Sequence, residues 1–276
     1  MKVSNIIPYF KEELDGITDA REITAWAYLV IQYLFGLNRS DTIVYSNKVI
    51  SMKNSDQIKQ IINELKENKP IQYILGETEF YGLKYKVNKH TLIPRPETEE
   101  LIDWVLKEDF NSILDIGTGS GCIAISLAKH SSAQIVAIDN CEKALEVAKE
   151  NAKLNKVDIK FYTKDIFQST DLFSLDVIVS NPPYILESEK ENMKANVLQY
   201  EPHLALFISD KDPLVFYKKI GSLAARSLNC GGKLFFEINE QYGSEISKML
   251  SKIGFVDIAL KKDINDKDRM IKAIWK

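Results

Sequence analysis

Ser112-Ile113-Leu114-Asp115-Ile116-Gly117-Thr118-Gly119-Ser120-Gly121 decides the fold. Residues 112–116 form an apolar run broken by a single acid, the pattern of a strand buried on both faces of a parallel sheet. Three glycines in five positions then make a tight turn, and Cys122 to Lys129 follow as an amphipathic helix. Glycines at such a turn let the backbone come close to a ligand at a helix N-terminus. A second strand, Gln134 to Ile138, ends in Asp139, 22 positions beyond Gly117. An acid at that distance is placed to accept hydrogen bonds from ribose hydroxyls. The dinucleotide fingerprint is G-x-G-x-x-G, whereas this turn reads G-x-G-x-G, with Cys122 where the third glycine would fall. That difference favours an adenosine with a small charged tail over a pyrophosphate.

Farther along, Leu175-Asp176-Val177-Ile178-Val179-Ser180 reads as another buried strand, and Asn181-Pro182-Pro183-Tyr184 follows it directly. The tetrapeptide therefore sits at the carboxyl end of a strand, where open α/β sheets place their ligands. Its chemistry suits the holding of a planar NH2 group. The Asn181 side chain and the Pro182 carbonyl are acceptors, neither proline has an N–H to donate, and Tyr184 offers a flat face for stacking. A rigid Pro-Pro loop that merely ends a strand is the plainer alternative, disfavoured by the ligand turn upstream.

Taken in order, the strand, glycine turn, acid-ended strand and Asn-Pro-Pro-Tyr resemble the class I S-adenosylmethionine-dependent N-methyltransferases. Pro70-Ile71-Gln72-Tyr73-Ile74-Leu75-Gly76, Leu92-Ile93-Pro94-Arg95-Pro96-Glu97-Thr98-Glu99 and Tyr200-Glu201-Pro202-His203-Leu204-Ala205-Leu206 narrow the match. They are similar to the signatures of the peptide chain release factor N5-glutamine methyltransferases, the PrmC or HemK family. The resemblance runs from about residue 70 to the C-terminus.

It implies methyl transfer from S-adenosylmethionine, leaving S-adenosylhomocysteine, to the glutamine amide of a Gly-Gly-Gln motif in bacterial class 1 release factors. It also implies a role in translation termination and no metal. Asn181, Pro182, Pro183 and Tyr184 are then the catalytic and substrate-binding residues. Gly117, Thr118, Gly119, Ser120, Gly121, Asp139, Asp165, Ile166 and Asn181 hold the cofactor. Where many members carry an aromatic residue against the adenine, this chain has Ile166, with less stacking area.

The expected fold is α/β: a seven-stranded Rossmann-like methyltransferase sheet, a small N-terminal helical domain, and a linking β-hairpin. The expected domains are a helical release-factor-recognition domain over 1–72, a linker with the hairpin over 73–90, and a methyltransferase domain over 91–276. In the first, Asp19 caps a helix from Ala20 to Phe35 that ends at Gly36, and a cap near Ser55 opens a helix from Asp56 to Asn68. Thr78 to Val87 reads as a hairpin with Gly82 at its turn.

Beyond the first two strands come a helix from Cys141 to Asn155 and a strand from Ile159 to Thr163. A helix from Leu214 to Leu228 is followed by a strand from Lys233 to Ile238, entered through Gly231-Gly232. Then come a helix from Tyr242 to Lys252 and strands near Phe255 to Leu260 and Met270 to Trp275. The resemblance implies that the last of these inserts antiparallel.

With 276 residues the chain can bury one sizeable α/β core and a small second one. A formal charge of −3 argues against a nonspecific nucleic-acid binder. Residues 1–69 hold nine Lys+Arg and nine Asp+Glu, no basic clamp. Three cysteines without ligand spacing read as reduced thiols. The apolar run Ile23 to Phe35 is too short to span a bilayer. No signal-peptide pattern opens the chain. A cytoplasmic monomer with no stable nucleic-acid or membrane binding is expected.

Four residues keep two readings each. Arg95 is an ion-pair partner or a site residue, and Glu201 borders the substrate pocket or stiffens a loop. Asp165 accepts from the adenine amino group or caps a loop. Asp115 supports the glycine turn from beneath or, less favoured, contacts the methyl donor. His90, His130 and His203 share no ligand spacing and read as non-catalytic. Two other functions remain open on the residues alone. One is methylation of an exocyclic base NH2, which requires base flipping and a basic groove. The other is a cofactor-binding scaffold without catalysis, which would not need the acceptor pair.

Overall fold

The computed structural model describes residues 1–276 apart from Asn192. The chain divides into two compact units, Met1–Gly76 with Lys194–Tyr200, and Glu77–Met193 with Glu201–Lys276.

The smaller unit is helical, with Ile6–Glu13, Ala20–Phe35, Arg39–Val44, Met52–Lys66, Ile71–Leu75 and Ala195–Tyr200. The helix Ala20–Phe35 has the boundaries its sequence dictates. The Asp19 carboxylate accepts from the N–H groups of Arg21 and Glu22, and Gly36 closes the helix at φ +66°. Its inner face, Ile23, Ala27, Val30 and Ile31, meets Phe10, Leu14, Ile58 and Ile62 in one apolar core. The next long helix corrects the sequence reading. Its cap is Ser51 rather than Ser55, because Ser51 Oγ accepts from Asn54 N at 3.2 Å. Ser55 lies one turn inside. Within the same unit the Tyr200 hydroxyl donates to the Glu67 carbonyl at 2.9 Å.

The larger unit begins with the hairpin of β1 (Glu77–Phe80) and β2 (Leu83–Lys86). Its two turn residues, Tyr81 and Gly82, both have positive φ, the geometry that matches strand twist. The parallel strands β3 (Ser112–Ile116), β4 (Gln134–Asp139), β5 (Lys160–Thr163) and β6 (Leu175–Ser180) follow, alternating with helices. A short parallel pair, β7 (Ile185–Leu186) and β8 (Phe207–Ile208), comes after the tetrapeptide. The strands β9 (Leu228–Glu237), β10 (Val256–Lys262) and β11 (Asp268–Ile274) complete the inventory.

The main sheet runs β10-β11-β9-β6-β3-β4-β5, with β11 antiparallel to both of its neighbours. This is the inserted final strand that the resemblance implied. Alternate residues of the central strands feed two cores. Ile113, Val177, Val179 and Phe235 pack with the hairpin and the helices Pro96–Val105 and Cys122–His130. Leu114, Ile178, Leu234 and Phe236 pack under Val215–Ser227 and Gly243–Ile253. Both faces are covered, which explains why these strands read as unbroken apolar runs.

One strand boundary differs from expectation. β9 starts at Leu228, which pairs with Leu175, and the register shifts before Val177 meets Lys233. Gly231-Gly232 therefore lie inside the strand at a bulge instead of leading into it. Among the described residues, no helix is long and apolar enough to cross a membrane.

Candidate active site

The carboxyl ends of β3, β4 and β6 open onto a cavity of about 270 Å³. Its walls include Gly117, Gly119, Asp139, Asp165, Ile166, Asn181, Pro182 and Pro183. One cavity thus joins residues from the glycine turn, the acid-ended strand and the tetrapeptide.

The glycine turn is held by its neighbours on all sides. Gly117 N and Thr118 N donate to the Ile138 carbonyl at 2.9 and 3.1 Å, and Gly119 N donates to Asp139 Oδ2 at 2.8 Å. Gly117 and Gly119 have φ of +74° and +55°, and a β-carbon on either would meet nothing within 4 Å. Their open side is cavity, so a ligand can lie directly on this backbone. Gly121 differs: a β-carbon there would stand 2.8 Å from Ile125 Cδ1 and 3.2 Å from Ala148 Cβ. It permits the close approach of two helices and does not line the cavity. Thr118 and Ser120 are also buried behind the wall. Of the five turn residues expected to bind cofactor, two face the cavity and three face inward.

Beneath the turn lies Asp115, wholly buried, whose Oδ2 accepts from Thr118 Oγ1 at 2.6 Å and from Ala124 N at 3.3 Å. This supports the loop-holding reading. Burial is the main cause that pushes its carboxyl up to about 7, against the pull of those two donors. Asp139 spends one oxygen on Gly119 N and the other on Cys141 N, at 2.8 and 2.9 Å. Burial raises its pKa, opposed by these backbone donors. Asp139 also lines the cavity.

Asp165 Oδ1 accepts from Phe167 N at 2.9 Å and Oδ2 from Gln168 Nε2 at 3.0 Å, so it caps the short turn Ile166–Gln168 and lines the cavity as well. Ile166 is 8% exposed and supplies an aliphatic wall. Sequence reasoning missed Phe167 beside it. That ring is 46% exposed, lines the same cavity, and meets Phe216 edge-on with centroids 5.1 Å apart. Its adjacency to Ile166 was the available signal.

In the tetrapeptide, Asn181, Pro182 and Pro183 line the cavity and Tyr184 does not. Tyr184 packs against the core beneath β9, and its hydroxyl donates to Glu237 Oε1 at 3.1 Å. Burial raises the pKa of that hydroxyl, with the neighbouring Glu237 charge adding to it. Asn181 Nδ2 donates to Thr98 Oγ1 at 3.4 Å, and Thr98 Oγ1 donates to Glu237 Oε2 at 2.6 Å. Thr98 and Glu237 were not singled out in the sequence. The available clue was an acid ending an apolar strand, as Asp139 does.

Arg95 and Glu201, each open to two readings, pair with each other at 2.7 Å. The Glu201 side chain is 1% exposed, and its second oxygen accepts from Ile93 N at 3.2 Å. Neither lines the cavity, but Leu92 and Pro202 beside them do. The pair therefore pins two segments of wall together. His90 lines the cavity, whereas His130 Nδ1 bonds the Ser126 carbonyl at 2.9 Å and meets Tyr81 edge-on. Among the described residues, no group of three His, Cys, Asp or Glu is placed to hold a metal.

Comparison with known proteins gives the family and the fold. Residues 10–76 match the PrmC N-terminal domain, and residues 96–204 match the methyltransferase small domain. A release factor glutamine methyltransferase of Flavobacterium psychrophilum is 48% identical, covering 99% of this chain and 99% of that protein. Another, from Bacteroides thetaiotaomicron, is 41% identical over 98% of this chain and 99% of its own. Among solved structures, a methyltransferase from Pyrococcus furiosus shares the fold at 18% identity. Its TM-score is 0.55, with 81% of this chain and 98% of that one covered.

Proposed function

Because the chain belongs to the release factor glutamine methyltransferases, we propose that it methylates the glutamine of the Gly-Gly-Gln motif in bacterial peptide chain release factors. The methyl group goes from S-adenosylmethionine to the side-chain amide nitrogen (N5), and S-adenosylhomocysteine is the other product. The supporting observation is the shared cavity, in which the glycine turn and the two acceptors of Asn181-Pro182 stand on one wall system.

The residues present fit such a cofactor. Gly117 and Gly119 offer bare backbone that β-carbons would otherwise fill, and Asp139 lines the cavity where ribose hydroxyls would donate to it. Asp165 and Ile166 lie where an adenine edge and face would rest, and Phe167 adds the aromatic surface that Ile166 lacks. Thr118, Ser120 and Gly121 act from behind, by holding the turn's shape. The bound cofactor supplies an electrophilic methyl on a sulfonium.

An amide nitrogen is a poor nucleophile because its lone pair is delocalised, so positioning carries much of the catalysis. Asn181 Oδ1 and the Pro182 carbonyl accept the two N–H groups of the glutamine amide and aim its nitrogen at the methyl. The N–C bond forms as the C–S bond breaks. The nitrogen gains positive charge in the transition state, so both acceptors bind it more tightly there than in the ground state. The surplus proton then leaves to water. Pro183 stiffens the loop, and Tyr184 anchors it from the core side.

Residues 1–72 act in this reading as the release-factor-recognition domain, 73–90 as linker and hairpin, and 91–276 as the catalytic domain. The enzyme works as a cytoplasmic monomer without stable nucleic-acid or membrane binding. Radiolabelled S-adenosylmethionine incubated with purified release factor, ribosomal RNA and DNA tests the reading. Label should enter the release factor alone, and label in nucleic acid without label in protein would overturn it.

A further inference from the structure

Glu237 is the last residue of β9, and the β6–β9 register pairs Ser180 with Phe236, so Glu237 stands level with Asn181 on the next strand. Its side chain is buried, 1% exposed, at the end of a strand whose other inward residues are apolar. An acid there is costly unless both oxygens are engaged. They are: Oε2 accepts from Thr98 Oγ1 at 2.6 Å and Oε1 from the Tyr184 hydroxyl at 3.1 Å. The two donors lead to opposite ends of the tetrapeptide. Tyr184 is its last residue, and the Asn181 NH2 meets Thr98 Oγ1 at 3.4 Å and the Glu237 carboxylate itself.

We propose that Glu237 is a positioning residue for methyl transfer, which sets through Thr98 the face that the Asn181 amide turns to the substrate and holds the far end of the loop through Tyr184. The proposal rests on the functional reading above. Burial raises the Glu237 pKa, opposed by the Thr98, Tyr184 and Asn181 donors and by the Arg269 charge. In the carboxylate form that these favour, it is acceptor-only, so the single Thr98 hydroxyl proton is committed to it. Thr98 Oγ1 can then only accept from Asn181. That bond, with the direct one to Glu237, occupies the NH2 end of the Asn181 amide and leaves Oδ1, the acceptor the reaction needs, for the cavity. Without this bias the two orientations of an asparagine amide differ little in shape, and the reversed one would set NH2 against the substrate NH2.

Glu237→Gln keeps the volume and removes the bias. The glutamine NH2 must face one of the two hydroxyls. Facing Thr98, it frees the Thr98 proton for Asn181 Oδ1 and favours the reversed amide. Facing Tyr184, it breaks the anchor.

The test is steady-state methylation of purified release factor by the full-length enzyme, with cofactor affinity measured by calorimetry. For Glu237→Gln, kcat should fall roughly tenfold or more, the effect of about one hydrogen bond misaligned in the transition state. Cofactor Kd should stay within about twofold. Thr98→Val should reproduce that loss, and Thr98→Ser, which keeps the hydroxyl, should recover most of it. The double variant Glu237→Gln/Thr98→Val should be about as slow as the slower single one, because both break the same relay. Polarity gives a readout that a merely structural role would not move. Release factor with glutamate at the acceptor position competes poorly against the wild-type acceptor pair, and should compete relatively better against Glu237→Gln.

Wild-type kcat in Glu237→Gln, or a loss confined to cofactor Kd, would overturn the proposal. So would an unchanged glutamine-over-glutamate preference in a slowed variant. If Glu237→Gln does not fold, the Thr98→Val and Thr98→Ser pair decides: equal activity in the two overturns the relay. A wild-type enzyme inactive on release factor would instead overturn the functional reading itself.

Discussion

Replacing Asp139 with asparagine removes one charge and half the acceptor capacity of a residue that does two jobs. Its oxygens each hold a backbone donor, Gly119 N at 2.8 Å and Cys141 N at 2.9 Å, and in the proposed reading it also accepts from the ribose hydroxyls. An asparagine satisfies one backbone donor with its oxygen and opposes the other with its NH2. A ribose hydroxyl donating to a carboxylate gains about 1.5–3 kcal/mol, against about 0.5–1.5 for a neutral acceptor, so that change alone costs about 1 kcal/mol. Loosening of the Gly119 turn, on which the ligand would lie, adds about as much. The total of about 2 kcal/mol is roughly a thirtyfold rise in Kd. Folding should suffer less. Burial already disfavours the Asp139 charge, as its raised pKa records, and the neutral amide avoids that cost. Calorimetric titration with S-adenosylhomocysteine gives the affinity, and thermal unfolding without ligand gives the stability. An affinity within twofold of wild type in a folded variant would refute the ribose assignment.

Asn181→Ala should lower kcat roughly ten- to 150-fold, the value of about 1.5–3 kcal/mol for one acceptor to a group gaining charge, with cofactor Kd nearly unchanged. Wild-type turnover would sink the acceptor role. Asp115 is held protonated by the fold up to about pH 7, well above its usual 3.8, so its contribution to stability is fully present at low pH and is lost as pH rises through that window. Denaturant titrations without cofactor should show wild type losing ground to Asp115→Asn between about pH 4 and 7, by up to roughly 1.4 kcal/mol per pH unit, with no further change above it. A gap independent of pH would contradict the burial argument. A chain starting at Glu77, if its thermal unfolding remains cooperative, should keep its cofactor affinity yet methylate intact release factor with a raised KM. Unchanged kcat/KM would remove the recognition role from the N-terminal region.

Much of the catalytic unit was legible because its signals are local. β3 and β6 read as apolar runs since both their faces are covered, and Gly82 stands where the backbone needs positive φ. The start of the Met52–Lys66 helix was not. Ser51 and Ser55 are one turn apart on the same face, both able to cap, and the buried phase Ile58, Ile61, Ile62, Leu65 is the same for either. The bulge at Gly231-Gly232 depends on the pairing of Leu228 with Leu175, a contact between distant segments. At the site, motif position named residues that the fold brings around one cavity but could not say which of them face it. A five-residue turn has an inside, and Thr118, Ser120 and Gly121 occupy it. The same limit applied to Tyr184 and Glu237, whose bond exists only once β6 and β9 are neighbours.

The most direct test of the central claim is to find where the methyl group goes. Unmodified release factor incubated with this enzyme and S-adenosylmethionine, then digested, should yield a Gly-Gly-Gln peptide heavier by one methyl group. Tandem mass spectrometry should place that group on the glutamine side-chain nitrogen, and the increment should fade with Asn181→Ala. A methyl group on any other residue, or an unmodified peptide after complete turnover of cofactor on another acceptor, would contradict the account.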